Sequence, residues 1–323
     1  MGETVYLDHY LGPLGPFLEA TDVTDIYINR PREVWIERLG GAIERVEVKA
    51  LDGMVLERLA RQIAAQSSQG VSREHPLLSA SLPDGSRVQI AIPPATRGEV
   101  AIAIRKYVVT DLSVDDYAAA GAFDALTPSN VQASLQKQLH ALREKGDFAE
   151  LLRTAVRQRA NIFISGGTSS GKTTFLNALL KEVDPQERLI LIEDTPELRA
   201  PHENMVGMIA ARSALGEAVV SMEDLLNASL RMRPDRIILG ELRGPEAFTF
   251  LRAINTGHPG SMTTIHADSP ERAVEQLVLL VLESGTHLDR ASIAHYVRSS
   301  IDVYVQLGRV DGARRITAIK LRQ

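Results

Sequence analysis

Through the first hundred residues, short stretches in which apolar and polar positions alternate every second residue surround one stretch with helical spacing. "DIYIN" (25–29), "EVWIERL" (33–39) and "AIERVEV" (42–48) read as strands, and the Gly40-Gly41 pair between the last two supplies a hairpin turn. "DGMVLERLARQIAAQ" (52–66) then places Val55, Leu56, Leu59 and Ile63 on one face of a helix, with Asp52 positioned as its N-cap. Strand periodicity returns at Val88, Ile90 and Ile92 and again at Val100, Ile102 and Ile104. The pattern predicts a small sheet-and-helix domain over 1–108.

Beyond it the periodicity fades. Residues 109–145 combine turn signals and small residues with a polar helical stretch, "VQASLQKQLHALREKG", and read as an interdomain linker. From 146 to 323 the chain alternates: helix "FAELLRTAVRQRA", strand "NIFIS", strand "RLILIED", helix "MEDLLNASLRM", strand "DRIILGE", helix "EAFTFLRAINTG", strand "SMTTIHA", helix "SPERAVEQLVLLVLESG". Strands alternating with helices imply a parallel sheet with helices on its faces. The closing "VDGARRITAIKLRQ" reads as a strand hairpin with no function attached to it.

Composition narrows the chemistry. The 323 residues, 44% of them hydrophobic, suffice for two ordinary cores. A net charge of -5 argues against coating nucleic acid through a global basic field. The absence of cysteine removes disulfides, thiol catalysis and metal-thiolate sites, and suits a reducing cytoplasm. The N-terminal stretch lacks the layout of a secretory signal. The longest apolar run, "LVLLVL" (277–282), is far shorter than the ~20 residues a spanning helix needs, so any membrane contact is expected to be peripheral.

The strongest chemical signal is "GGTSSGKTT". Gly166, Gly171, Lys172 and Thr173 satisfy G-x-x-x-x-G-K-[ST] between a strand and an amphipathic helix carrying Phe175, Leu176, Leu179, Leu180 and Val183. In such a loop, Gly166, Gly167, Thr168, Ser169, Ser170 and Gly171 let successive backbone N–H groups surround a phosphate, and Thr174 continues the cradle into the helix. Lys172 is expected to reach the β- and γ-phosphates of ATP, and the Thr173 hydroxyl to ligate Mg2+. Glu241, ending "RIILGE", and Glu193 and Asp194, ending "LILIED", stand at the carboxyl edge of the sheet, where open α/β folds bind ligands. Glu241 and Glu193 are the candidates for activating water or positioning magnesium. His258 and His266 lie eight apart on a loop and a strand, which is not metal-ligand spacing.

Taken in order, "GGTSSGKTT", "LIEDTPEL", "RMRPDRIILGELRGPEA" and "TGHPGSMTTIHAD" resemble the Walker A, Asp box, Walker B and His box of secretion traffic ATPases. "VTDIYINRPREVWIE" and the compact length resemble in particular the traffic ATPases of type IV secretion systems, the eleventh component of VirB-type machines. That resemblance covers nearly the whole chain. It implies a RecA-like P-loop ATPase domain preceded by a smaller α+β domain, a homohexameric ring, and a site that hydrolyses ATP. His266 would sense the γ-phosphate, and Arg87 and Arg105, with Arg97, Arg231 and Arg233 as further candidates, would reach the phosphates from elsewhere in the chain. Gly240 stands before Glu241 where many P-loop enzymes carry aspartate, which leaves the direct magnesium ligand open.

The implied partners are inner-membrane secretion-channel subunits and other secretion ATPases, and the implied place is the cytoplasmic side of the inner membrane. No sequence-specific contact with nucleic acid is expected. The alternatives are a type II secretion, type IV pilus or Tad-type ATPase, a RecA-like nucleic-acid-dependent ATPase, and a small-molecule kinase. The chain has no cysteine for the zinc element of many type II enzymes, no aromatic-basic stripe for nucleic acid, and no marked acceptor pocket.

Overall fold

A computed structural model describes residues 3–108, 113–124, 131–211 and 217–322. After two short helices, α1 (Glu3–Leu11) and α2 (Gly15–Glu19), come strands β1 (Val23–Ile28), β2 (Glu33–Arg38) and β3 (Ile43–Glu47). Helix α3 (Gly53–Gln66) follows, then β4 (Leu77–Ser81), β5 (Arg87–Ala91) and β6 (Ala101–Arg105). The six strands form one antiparallel sheet in the order β3-β2-β1-β6-β5-β4. The expected turn between β2 and β3 is there because Gly40 and Gly41 take φ of +96° and +84°, a conformation L side chains rarely adopt. Asp52 caps α3 as its position suggested, its carboxylate accepting from Val55 N at 2.8 Å.

Alternation gives this sheet two different faces. Ile26, Ile28, Val34, Ile36, Val88, Ile90, Ile102 and Ile104 point toward α1 and α3 and form one core with Leu56, Leu59 and Ile63. Each such side chain, fully buried, contributes about 1.5–3 kcal/mol relative to exposure. The intervening positions, Tyr27, Ala91, Ala101 and Ala103, belong instead to the core of the second half of the chain. Small alanines there allow close approach.

The remaining elements are α4 (Val114–Ala119), α5 (Val131–Glu144), α6 (Phe148–Arg157), β7 (Ile162–Gly166), α7 (Lys172–Leu180), β8 (Leu189–Glu193) and β9 (Met205–Ile209). Then follow α8 (Met222–Ser229), β10 (Arg236–Leu242), α9 (Glu246–Asn255), β11 (Met262–Ile265), α10 (Pro270–Glu283), α11 (Arg290–Ser300), β12 (Val303–Val310) and β13 (Ala313–Leu321). Their sheet runs β13-β12-β7-β11-β10-β8-β9, parallel throughout except for β13, which returns antiparallel beside β12. This is the parallel-rich, doubly covered sheet the alternating pattern calls for. Of the stretch expected as a connection, 109–112 and 125–130 lie outside the described residues. Within it, α5 lays Leu135 and Leu139 into the same core as Leu151, Ile162 and Leu176, and so covers the second sheet.

The two sheets are tied by polar bonds as well as by the shared core. Residues 95–97 add to the outer edge of β9: Ile209 N donates to Ala95 O at 2.9 Å and Arg97 N to Gly207 O at 3.0 Å. Arg188 is fully buried, its guanidinium 4.3 Å above the Tyr27 ring and bonded to Asn29 and Asn204. Burial pushes its pKa down to about 10, and the Tyr27 and Asp235 oxygens oppose that.

Candidate active site

Parallel strands deliver their carboxyl ends to one edge, and here four of them end in chemistry. Between β7 and α7 runs the glycine-rich loop. Gly166 is compelled by packing, since a Cβ there would sit 2.5 Å from Ser170 Oγ and 2.8 Å from Leu307 O. Gly171 takes φ +95° and turns the chain into α7, whose free N–H groups face the loop. Ser170 Oγ is buried without a hydrogen-bond partner. The loop borders a cavity of about 430 Å³, the size of an ordinary ligand pocket.

Strand order decides what meets the loop. β11 lies between β7 and β10, so His266, just past the end of β11, stands between the loop and Glu241 on β10. Glu241 collects two cationic side chains and an imidazole: Lys172 Nζ lies 3.7 Å from its Oε1, Arg243 binds its Oε2, and His266 Nε2 lies 2.9 Å from Oε1. Lys172 also donates to the Gly166 carbonyl at 3.0 Å. Burial holds its ammonium below the ordinary lysine value, against the pull of Glu241. Arg243 reaches Asp194 at 3.4 Å as well. A carboxylate beside a phosphate loop, backed by a lysine and an imidazole, can orient water against a phosphoryl group and take its proton.

Glu193 stands differently from Glu241. One oxygen accepts from the backbone N–H groups of Glu197 (2.9 Å) and Leu198 (2.7 Å), and the other binds the Arg97 guanidinium. Arg97 donates also to Leu198 O at 3.1 Å. The carboxylate expected to activate water or position magnesium therefore organises the 195–198 turn and anchors the first sheet to the second.

Arg87 and Arg105 do not reach this pocket within the chain. They face each other as cross-strand partners on β5 and β6 and line a separate cavity of about 680 Å³, together with Arg231 from just beyond α8. Asp25 accepts from Arg105 at 2.9 Å. Arg233 pairs with Glu37 at 2.5 Å and Asp235 at 2.7 Å, far along the strands from the loop. His258 precedes β11 at the opposite edge of the sheet. Its ring is partly buried, with Nδ1 unpartnered, and burial lowers its pKa.

Two lining residues, Arg243 and Arg314, are not among the candidates read from the sequence, although Arg243 lies within "RMRPDRIILGELRGPEA". Arg243 sits two residues past Glu241, where only the strand's end geometry turns it back. Arg314 comes from the terminal hairpin and lies against Gly171. Among the described residues no cluster of three or more acidic or histidine side chains forms a metal cage.

Comparison with known proteins agrees with this geometry. Residues 9–310 match the family described as type II/IV secretion system protein. The type IV secretion system protein VirB11 of Bartonella henselae is 40% identical over 96% of this chain and 91% of its own length. PtlH, a type IV secretion system protein of Bordetella pertussis, is 38% identical over 96% of this chain and 93% of its own. The crystal structure of the VirB11 ATPase of the Brucella suis type IV secretion system, in complex with sulphate, superposes with a TM-score of 0.92 at 37% identity, covering 99% of this chain and 95% of that one. A family match over nearly the whole length, relatives at this identity and a loop, carboxylate and imidazole brought to one sheet edge lead to one conclusion: the chain belongs to the type II/IV secretion system protein family.

Proposed function

We propose that this protein is the ATPase of a type IV secretion system, hydrolysing ATP at the β7–α7 loop to drive transfer through, or assembly of, a membrane-embedded machine. The observation that carries the reading is the meeting of Lys172, Glu241 and His266 around one phosphate-sized loop. The relatives at 38–40% identity are type IV secretion proteins, which favours that system over type II, pilus and nucleic-acid-dependent ATPases.

The chain's own residues divide the work. Loop N–H groups and the end of α7 hold the phosphates. Lys172 exchanges the Gly166 carbonyl for phosphate oxygens, a short movement that relieves its desolvation by giving it a polyanion. Glu241 orients the attacking water and accepts its proton, and His266, 2.9 Å from Glu241, responds to the γ-phosphate beside it. Magnesium fits a site with few protein ligands, since the ion usually keeps waters and takes phosphate oxygens with one or two side chains. Thr173, half-buried in the first turn of α7, is the hydroxyl placed to hold it, with Glu241 acting through water. Bound there it would neutralise charge building on the phosphoryl oxygens. Glu193, with both oxygens engaged, remains a tie between sheets.

Arg87, Arg105 and Arg231 complete the site across a subunit boundary in this reading: three guanidiniums line one cavity against, among the described residues, a single acidic partner, Asp25, and meet the phosphates of a neighbouring protomer in a hexameric ring. The chain divides in this reading into an N-terminal unit, 1–108, a connection, 109–145, whose helix α5 packs on the second sheet, and an ATPase unit, 146–323. The ring works on the cytoplasmic face of the inner membrane, against channel subunits and other ATPases. Among the described residues no helix is long and apolar enough to cross a membrane.

The test is ATP turnover by the purified protein and its Lys172→Ala variant. Loss of nucleotide binding and of phosphate release in the variant is expected. Turnover that survives the substitution would remove this loop from the reaction.

A further inference from the structure

The terminal hairpin brings an arginine to the nucleotide loop from the side away from Glu241. Leu307 on β12 registers with Gly166 on β7, so the hairpin residues beyond it extend past the end of β7 and overhang the loop. Asp311 and Gly312, with φ of +50° and +77°, make the tight reversal, and Arg309 pairs with Arg314 across it. The register is thereby fixed, and Arg314 is aimed by a short, regular hairpin.

Its side chain lies along the loop. A Cβ built on Gly171 would meet Arg314 Cδ at 3.2 Å, Nε at 3.8 Å and Nη1 at 3.9 Å. Gly171 is the last loop residue before α7, so the guanidinium sits beside the positive end of a helix and in the same pocket as Lys172. A cation is unfavourable at a helix N-terminus, where the backbone dipole already presents positive charge. Arg314 forms no ion pair among the described residues. The arrangement makes electrostatic sense with a polyanion between guanidinium and loop.

Strand order says which part of that polyanion. β7 has β11 and then β10, with Glu241, on one flank, and β12 and then β13, with Arg314, on the other. Glu241 marks the end where water attacks the γ-phosphate. We propose that Arg314 binds the opposite end of the nucleotide, the α-phosphate and nucleoside portion common to ATP and ADP, where a planar guanidinium can pair with phosphate oxygens or stack on the base. This makes it a nucleotide-binding residue supplied by the same chain as the loop. The inference rests on the reading of this pocket as the ATP site.

The experiment compares Arg314→Ala and Arg314→Lys with the parent protein, measuring ADP and non-hydrolysable ATP affinity by calorimetry and steady-state turnover. Arg314→Ala should weaken both nucleotides by the same factor, about tenfold, as expected for a lost charge-assisted bond. KM should rise in parallel while kcat stays within about twofold, and Arg314→Lys should fall between, keeping the charge without the planar fork. Unchanged ADP affinity overturns the proposal. So does a loss confined to the ATP analogue, which would put Arg314 on the γ-phosphate, or a fall in kcat at unchanged KM. Lys172→Ala run alongside separates the two claims: if that variant still binds nucleotide normally, the pocket itself is misread, whatever Arg314 does.

Discussion

Arg97, on the connection between β5 and β6, binds the carboxylate of Glu193 at the end of β8, joining residues 96 positions apart. Glu193 is almost wholly buried and its other oxygen is held by two backbone N–H groups. Arg97→Ala should leave part of a buried carboxylate unpaired and cost about 1–3 kcal/mol, read as a lower denaturant midpoint. Glu193→Gln keeps acceptor capacity at the turn and should hold kcat within about threefold. A hundredfold loss of kcat with an unchanged midpoint would return Glu193 to the chemistry. A double-mutant cycle on the pair should show coupling, since the two share one contact.

Glu241 is the contrasting acid, facing the loop with Lys172 and His266 around it. Glu241→Gln preserves shape and removes the proposed base, so kcat should drop by about 10²–10⁴-fold with KM little changed. His266→Ala should lower kcat less and leave ADP affinity intact, because its place is beside the carboxylate at the γ end. Pre-steady-state phosphate release distinguishes these outcomes from slowed product escape.

Gly166 and Gly167 are neighbours with opposite tolerances. At Gly166 a Cβ would collide with Ser170 Oγ and the Leu307 carbonyl, whereas at Gly167 nothing lies within 4 Å. Gly166→Ala must displace the backbone of β12 or of the loop and should cost about 1–3 kcal/mol along with nucleotide binding. Gly167→Ala should fold with the parent's midpoint. Equal midpoints for the two variants would mean that the loop adjusts freely.

These contrasts explain what could be read from sequence and what could not. The loop and Glu241 stand out because each follows or ends a buried strand with an apolar run, "IFIS" and "RIIL", whereas His266 follows the threonine-bearing "MTTI" and is marked only by the motif resemblance. Alternation likewise located β1, β2, β3, β5 and β6. Strands β4, "LLSAS", and β9, "MVGMI", escaped because small residues and a central glycine blur the alternation, and their pairing comes from tertiary neighbours. Helix α5 read as a connector since its few leucines are diluted by polar residues, yet Leu135 and Leu139 suffice to dock it. Arg97, Arg243 and Arg314 are surface-type residues by composition. Only the fold brings them to Glu193, Glu241 and Gly171.

Two histidines couple stability to acid. Burial lowers the pKa of both His202 and His258 below the ordinary histidine value of 6.5, and each has a ring Nδ1 without a partner. Below pH 6.5 the unfolded chain takes up protons more readily than the folded one, so stability is full above that pH and is lost as pH falls through the depressed folded-state values. Each site can add a slope of at most about 1.4 kcal/mol per pH unit. The melting temperature should therefore fall between pH 7 and 5, and His202→Gln with His258→Gln should flatten that fall relative to the parent. An unchanged slope would assign the acid sensitivity to the carboxylates.

The separation of Arg87 and Arg105 from their own chain's loop gives the proposed ring a direct test. A protein in which both are alanine keeps an intact loop, and Lys172→Ala keeps intact arginines. Each alone should be inactive in hydrolysis, by about 10³-fold if the arginines stabilise charge on the transferring phosphoryl group. Mixed together, the two regain activity only where a loop from the first protein meets arginines from the second, which requires the site to span two protomers. Recovery that peaks near equal mixing and disappears on dilution is the expected result, because assembly follows protomer concentration. If mixing restores nothing while co-purification of differently tagged variants shows mixed rings, the arginines serve the loop of their own chain after a closure of the two sheets, and the cavity they share with Arg231 is the hinge of that movement.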